Sequence, residues 1–471
     1  MEGSTPQLPC REDGHRQKGH QPQAHQDDDP VTEPEPLGSP VGELENAPAG
    51  GQIDAHHLGD SPLDDPAQNG LGHGYFRWVR PGRVGPTPYN LPYVRFVLTF
   101  QSPAASGATE GICLFVARLK IKHLIWLVLG ALLVLVLLGP RPSVEYTLRS
   151  PDLPPWTDGS RADLEALERH LADAEARVED LVPGAGKRIL WADPEAPNRT
   201  RHAVVYLHGF SATRQETAPL SREVARALGA NLFETRLTGH GRSGEAMAEG
   251  SVDAWLNDGL EALEVGRRIG DRVVIVGTST GGTLATWLAS GPDFGEAGQA
   301  LDQHARAWGG PPSLEGSMEA LILISPNFGP ADRSSRVLLW PWGGWLAERI
   351  VGPERCFEPV NELQEEFWTE CYPTRALLSM MGLVDLVDGL DPSRVTAPTL
   401  VIYSPHDQVV DPELTLGTFE RWGSSRKELL PVETSGDPSN HVVVGEILSS
   451  ENTGPVARAI TRFVQGAEPG G

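Results

Sequence analysis

Hydrophobic and polar positions divide this chain into unlike parts. Over residues 1–117 a periodic apolar pattern is nearly absent, and Pro, Gly, His, Gln and an acidic run (Asp27-Asp28-Asp29) dominate. Such a stretch buries too little apolar surface to offset its ordering entropy and reads as a disordered leader. One strand-like run at 93–100 has no neighbouring strand pattern to pair with. No Met stands between Met1 and Met247. The leader is therefore expected to be partly an over-extended reading frame, with initiation at a non-AUG codon near Val116.

Residues 124–139 then form an apolar run without a charge, preceded by Arg118, Lys120, Lys122 and His123. With apolar residues on every face, this is neither an amphipathic core helix nor, given the poor cleavage site at Gly139-Pro140-Arg141, a good cleaved signal. Ile121 and a snorkelling Lys122 extend it toward the ~20 residues that cross a bilayer. The expectation is a membrane anchor over 118–140 that contacts lipid through 121–139. The basic flank places the N-terminus in the cytoplasm and the remainder outside. A Pro-rich stalk is expected over 141–159.

From Ser160 the period changes. Ser160-Arg161-Ala162-Asp163 has the form of a capping box, and Leu164, Leu167, Leu171, Ala174, Val178 and Leu181 recur at three and four. This predicts an amphipathic helix over 160–182 that packs on a neighbouring domain, ended by Pro183-Gly184. From residue 187 onward, short β-branched runs alternate with helical patterns. Strands are predicted at 189–191, 203–207, 230–237, 273–276, 321–324, 399–403 and 428–432, with helices at 215–228 and 252–269. Residues 292–317 read as a surface insertion. The alternation predicts an α/β domain over 187–466, with a mostly parallel sheet and helices on both faces. A segment at 327–397 interrupts it late. Its Trp340, Trp342, Trp345, Phe367, Trp368, Met380 and Met381 suit a helical cap, most of them as its own core and others as walls of an apolar pocket.

Composition narrows the chemistry. There are 39 Lys+Arg against 63 Asp+Glu, a formal charge of −24, and no basic cluster that would suit nucleic acid. The four cysteines form no C-x-x-C pair and no metal site is expected; Cys356 and Cys371 are a disulfide pair or two buried thiols, according to compartment. The scattered leader histidines read as solvated low-complexity sequence.

The chemistry centres on 273–282, Val-Val-Ile-Val-Gly-Thr-Ser-Thr-Gly-Gly. A buried strand runs into the G-x-S-x-G pentapeptide Gly277–Gly281 and then into a helix-compatible segment. On such an elbow the serine hydroxyl stands clear of the sheet, and Gly277 and Gly281 let strand and helix approach. Ser279 is the expected nucleophile. His208-Gly209-Phe210 follows the strand at 203–207, where the Phe210 N–H would oppose the Thr280 N–H as an oxyanion hole. His208 lies before the nucleophile and reads as structural. The acid and base are expected downstream: Asp407 after the strand at 399–403, and His441 in Ser435-Gly-Asp-Pro-Ser-Asn-His441. Asp411, followed by Pro412, reads as a helix cap. His202 reads as a surface residue at strand entry, His240 as part of a Gly-rich turn and His406 as exposed.

Together 203–209, the Gly239-His240-Gly241-Arg242-Ser243 turn, 277–281, Pro405-His406-Asp407 and Asn440-His441 resemble the α/β-hydrolase family over about 187–466. The likeness is greatest to its monoacylglycerol lipase and carboxylesterase branch. The resemblance implies a Ser279–Asp407–His441 triad, an oxyanion hole at Phe210 and Thr280, and no cofactor. It implies a small hydrophobic ester or lipid-like substrate. Thioester or amide cleavage, acyl transfer, and a non-catalytic tethered binder share the same motifs. Arg236-Leu237-Thr238 departs from the branch's usual turn and bears on loop packing.

Overall fold

The computed structural model describes residues 109–466 apart from 308, 310–312 and 314. Residues 1–108, with the strand-like run at 93–100 and most of the expected leader, lie outside the described residues. In chain order the elements are α1 (Thr109–Leu137), α2 (Arg161–Glu175), β1 (Arg188–Leu190), β2 (Thr200–Leu207), α3 (Leu220–Leu228), β3 (Asn231–Glu234), α4 (Val252–Ile269), β4 (Gly270–Thr278), α5 (Thr280–Ala289), α6 (Gly295–Ala307) and β5 (Met318–Ile324). They continue with α7 (Gly343–Ile350), β6 (Glu354–Cys356), α8 (Glu362–Phe367), β7 (Cys371–Pro373), α9 (Ala376–Asp388), β8 (Thr399–Tyr403), α10 (Pro412–Arg421), β9 (Lys427–Pro431) and α11 (Ser450–Gly466).

Seven strands form one sheet in the order β1-β3-β2-β4-β5-β8-β9, in which β1 alone runs antiparallel to its neighbour. Alternate side chains on each strand enter different layers. Val205, Ile275, Leu323 and Val401 pack with Trp255, Leu260 and Leu263 of α4 and Leu284 and Trp287 of α5. Their neighbours Val204, Tyr206, Val274, Val276, Ile322 and Ile402 pack with Leu220 and Val224 of α3 and Ile460, Phe463 and Val464 of α11. Both faces are covered, which is why the central strands are continuously apolar rather than alternating.

Several expected boundaries shift, each for a local reason. α2 ends at Glu175, well before Pro183-Gly184, so Val178 and Leu181 lie beyond it. The Ser160 hydroxyl makes no cap bond; Asp163 instead reaches back to accept from the Thr157, Asp158 and Gly159 N–H groups. The helix expected from 215 begins at Leu220, because residues 215–219 are drawn into a turn. The strand expected over 230–237 is Asn231–Glu234, since Arg236 and Thr238 turn away to bind Glu175 and Asp258. The insertion at 292–317 contains α6, which buries Ala297, Leu301 and Ala305. His202 is buried, not a surface residue, because β2 lies between β3 and β4.

The expected stalk is a strap. Leu148, Leu153 and Trp156 pack on the core. The Thr147 and Arg149 N–H groups donate to Asp253 and Asn257 of α4 at 2.7 and 2.8 Å. The leader boundary drawn at 117 also moves, because α1 begins at Thr109 and runs through it without a proline. Within α1, Lys120–Leu137 is long and apolar enough to cross a membrane by length and composition.

Between β5 and β8 the cap carries three helices and the hairpin β6–β7, closed by a Cys356–Cys371 disulfide. Leu338, Ala347 and Met381 form its own core. Its remaining apolar groups divide: Trp368 packs with Ala212 and Val442, and Tyr372 with Met247 and Ala376. Trp340 and Trp345 are exposed. The Trp342 N–H donates to the Pro140 carbonyl at 2.8 Å, and its indole N–H donates to Leu135 of α1 at 3.3 Å.

Candidate active site

Ser279 occupies the turn between β4 and α5 with φ 50° and ψ −116°, a left-handed conformation costly to a residue with a Cβ. The surroundings hold it there. Its N–H donates to the Ile324 carbonyl at 2.9 Å, and its carbonyl accepts from Gly282, Thr283 and Asn327 N–H at 2.9, 3.1 and 3.1 Å. The turn is possible only with glycines beside it: a Cβ on Gly281 would collide with the Leu207 and His208 carbonyls, and one on Gly277 with Gly281.

His441 arrives from the loop after β9. Asp437 builds that loop, accepting from the Ser439, His441 and Val442 N–H groups at 3.0, 3.0 and 2.8 Å. Asn440 takes a positive φ of 55°, and the Ser325 hydroxyl donates to the His441 carbonyl at 2.7 Å. The ring so placed lies between two partners. Its Nε2 is 3.0 Å from Ser279 Oγ, and its Nδ1 is 2.8 Å from Asp407 Oδ2. Asp407 presents its other oxygen to the Val409 and Val410 N–H groups at 2.8 and 3.0 Å. An ionised Asp407 can only accept, so Nδ1 carries the proton and Nε2 is free to accept from the serine hydroxyl.

The three residues are 7, 7 and 8% exposed in chain order. Burial alone would depress the His441 pKa, but the Asp407 carboxylate, with help from Glu216 and Asp437, leaves it raised above the ordinary value. Among the described residues neither the Phe210 N–H nor the Thr280 N–H has a hydrogen-bond acceptor; Thr280 opens α5, where the first amides have no intrahelical partner.

Other sequence candidates take supporting places. The His208 Nε2 accepts from the Leu237 N–H at 3.0 Å and its Nδ1 lies 2.9 Å from the Gly209 carbonyl; burial pushes its pKa down to about 4, so it is neutral. Asp411 caps α10 through the Glu413 N–H and binds Arg333. His406 is exposed beside Glu433. Arg236 pairs with Glu175 and Thr238 with Asp258, fixing the turn that departs from the family's pattern. Two residues had no role from sequence reasoning. Asp437 could have been found as an Asx turn four residues before His441; Glu216, which accepts from the Gly209 N–H, carried no local mark. As to metals, one close grouping of possible ligands occurs among the described residues, Glu354 with Cys356 and Cys371, and its two sulfurs are joined to each other.

The profile of the alpha/beta hydrolase family matches residues 204–446, more than half of the chain. The chain belongs to the alpha/beta hydrolase family. A thermostable monoacylglycerol lipase from Bacillus sp. (strain H-257) is 26% identical to this hydrolase-family chain over 235 residues, 49% of this chain and 81% of that protein. Among solved structures, one of the metagenome-derived lipolytic enzymes LipS and LipT aligns at 22% identity and a TM-score of 0.47, over 61% of this chain and 99% of that one. A soluble variant of the monoglyceride lipase of Saccharomyces cerevisiae aligns at 12% identity and a TM-score of 0.44, over 60% and 92%.

Proposed function

We propose that the protein is a membrane-anchored serine hydrolase of hydrophobic carboxylic esters. The observation that carries this reading is the buried hydrogen-bonded relay from Asp407 through His441 to Ser279, with Ser279 on a strained turn next to Thr280, whose N–H, like that of Phe210, has no acceptor among the described residues. Each group has a step. Ser279 Oγ bonds to the ester carbonyl carbon as its proton passes to His441 Nε2. The Phe210 and Thr280 N–H groups hold the resulting oxyanion; such a donor is worth about 10²–10³ in turnover. The bond to the alcohol then breaks, the alcohol leaving with the Nε2 proton. Water, deprotonated at Nε2, attacks the acyl-enzyme, and the acid departs as Ser279 regains its proton. Asp407 keeps the ring oriented and stabilises the imidazolium throughout.

The substrate class is supported by the monoacylglycerol lipase named among its relatives and by the apolar cap, whose Tyr372 and Leu377 cluster with Met247 and Phe210 of the domain below. For the anchor, the supporting observation is that the large apolar side chains of α1 between Ile121 and Leu137, among them Leu124, Trp126 and Leu133, are exposed on every face. The basic residues Lys120 and Lys122 before the run favour a cytoplasmic N-terminus, with the catalytic domain and its disulfide outside. In this reading the contact of Trp342 with the last turn of α1 favours a cap lying near the bilayer surface.

The test is a series of p-nitrophenyl esters and monoacylglycerols of graded chain length, given to the full chain and to Ser279→Ala. Turnover by the wild type that is abolished in Ser279→Ala supports the reading. Turnover that survives the substitution contradicts it.

A further inference from the structure

One buried carboxylate beside the site has no part in the cycle above. Glu216 is 2% exposed, and its Oε2 accepts from the Gly209 N–H at 2.8 Å and from the Tyr206 hydroxyl at 3.2 Å. Gly209 is the central residue of the turn that carries the Phe210 N–H. Tyr206 Oη also lies 3.3 Å from the hydroxyl of Thr278, the residue immediately before Ser279. The fit is close on both sides. A Cβ on Gly209 would stand 2.6 Å from Glu216 Oε1, and one on Gly445, just beyond His441, 2.6 Å from the Glu216 carbonyl. The Glu446 N–H donates to the Ala218 carbonyl at 2.8 Å, tying the same segment to the chain that follows His441.

Glu216 therefore spans two parts of the site, the Gly209-Phe210 turn and the His441 loop. Among the described residues the charged group that bears on it is His441, and the charges that bear on His441 are Asp407, Glu216 and Asp437. A carboxylate buried without Lys or Arg is unfavourable, more so than a glutamine of the same shape. Burial pushes its pKa up to about 7 against the Gly209 N–H, the His441 charge and the Tyr206 hydroxyl.

We propose that Glu216 is a positioning residue of this site: its carboxylate fixes the Gly209-Phe210 turn that supplies one oxyanion donor and provides a second negative charge, beside that of Asp407, favouring the His441 imidazolium. The inference rests on the serine-hydrolase reading. It assigns two separable tasks, one of hydrogen bonding and one of charge. Glu216→Gln keeps an acceptor for the Gly209 N–H and removes the charge; Glu216→Ala removes both.

The experiment measures kcat and KM for p-nitrophenyl butyrate against pH, using the full chain in detergent, with active sites counted by a fluorophosphonate and folding followed by thermal melting. In Glu216→Gln the acidic limb of kcat/KM moves to lower pH, because losing a negative neighbour makes the imidazolium easier to deprotonate. In Glu216→Ala, kcat per active site falls by about 10² or more with KM little changed, the signature of a disturbed oxyanion donor. Folded variants whose kcat per site and acidic limb both match the wild type overturn the proposal. So does a loss confined to the count of reactive sites. Ser279→Ala separates the two readings: activity persisting there brings down the hydrolase reading itself. Activity lost there yet indifferent to both Glu216 variants contradicts the Glu216 proposal alone.

Discussion

The ring of Tyr372 in the cap stands edge-on to Phe210, with centroids 5.2 Å apart and planes at 89°. Phe210 in turn meets His240 and Trp255 edge-on at 5.7 and 6.2 Å, so the Gly209-Phe210 turn is braced by the domain below and roofed by the cap above. Tyr372 touches the Phe210 side chain, whereas the proposed oxyanion donor is the Phe210 backbone. Tyr372→Ala is therefore expected to act on substrate fit rather than on the chemical step. KM for long-chain p-nitrophenyl esters should rise by about tenfold, the worth of a lost apolar wall, with kcat for the acetate ester little changed. Steady-state kinetics across the chain-length series checks this; a fall in kcat at constant KM would show the cap acting through the turn instead.

The two acidic residues after β8 are assigned different work, and substitution separates them. Asp407→Asn leaves the shape but favours the wrong imidazole tautomer, and a loss in kcat of about 10⁴ is expected. Asp411→Asn keeps a good capping residue for α10 and weakens the partly exposed Arg333 contact, so turnover should stay near that of the wild type. Collapse of turnover in Asp411→Asn with near-normal rates in Asp407→Asn would exchange their roles.

Acid should silence the enzyme at a higher pH than an ordinary histidine would dictate. The proposed mechanism needs Nε2 unprotonated, and the Asp407 carboxylate, overcoming the effect of burial, holds the His441 pKa above its ordinary 6.5. The acidic limb of kcat/KM is expected to have its midpoint above that value. The stability effect has the opposite sign. A raised folded pKa means that the native state binds the proton more tightly, so His441 contributes stability that is fully present below about 6.5 and is lost as pH rises through the folded value. Melting temperatures of the wild type and His441→Gln at acidic and alkaline pH measure it. A wild-type advantage that grew with pH would contradict the assigned sign.

Much of this arrangement was legible in the residues themselves. The helix over 252–269 and the strand over 399–403 lie within the bounds read from periodicity, because each is a long or strongly β-branched apolar pattern that tertiary contacts reinforce. The positions of Ser279, Asp407 and His441 in chain order followed from the elbow and from strand ends. What escaped was polar and long-range. Nothing local to residues 215–219 foretells that Glu216 turns inward to the Gly209 N–H instead of starting a helix. The strap at 141–159 looked unattached because its partners, Asp253 and Asn257, stand about a hundred residues away on α4. His202 looked superficial until the sheet order placed β2 between two strands.

The most direct test is covalent. The full chain is treated with a fluorophosphonate, digested, and the modified peptide located by mass. A hydroxyl 3.0 Å from His441 Nε2, on the elbow between β4 and α5, should react stoichiometrically. The label should fall on Ser279, be absent from Ser279→Ala, and be strongly slowed in His441→Gln. A label on another residue, or equal labelling of wild type and Ser279→Ala, would contradict Ser279 as the nucleophile.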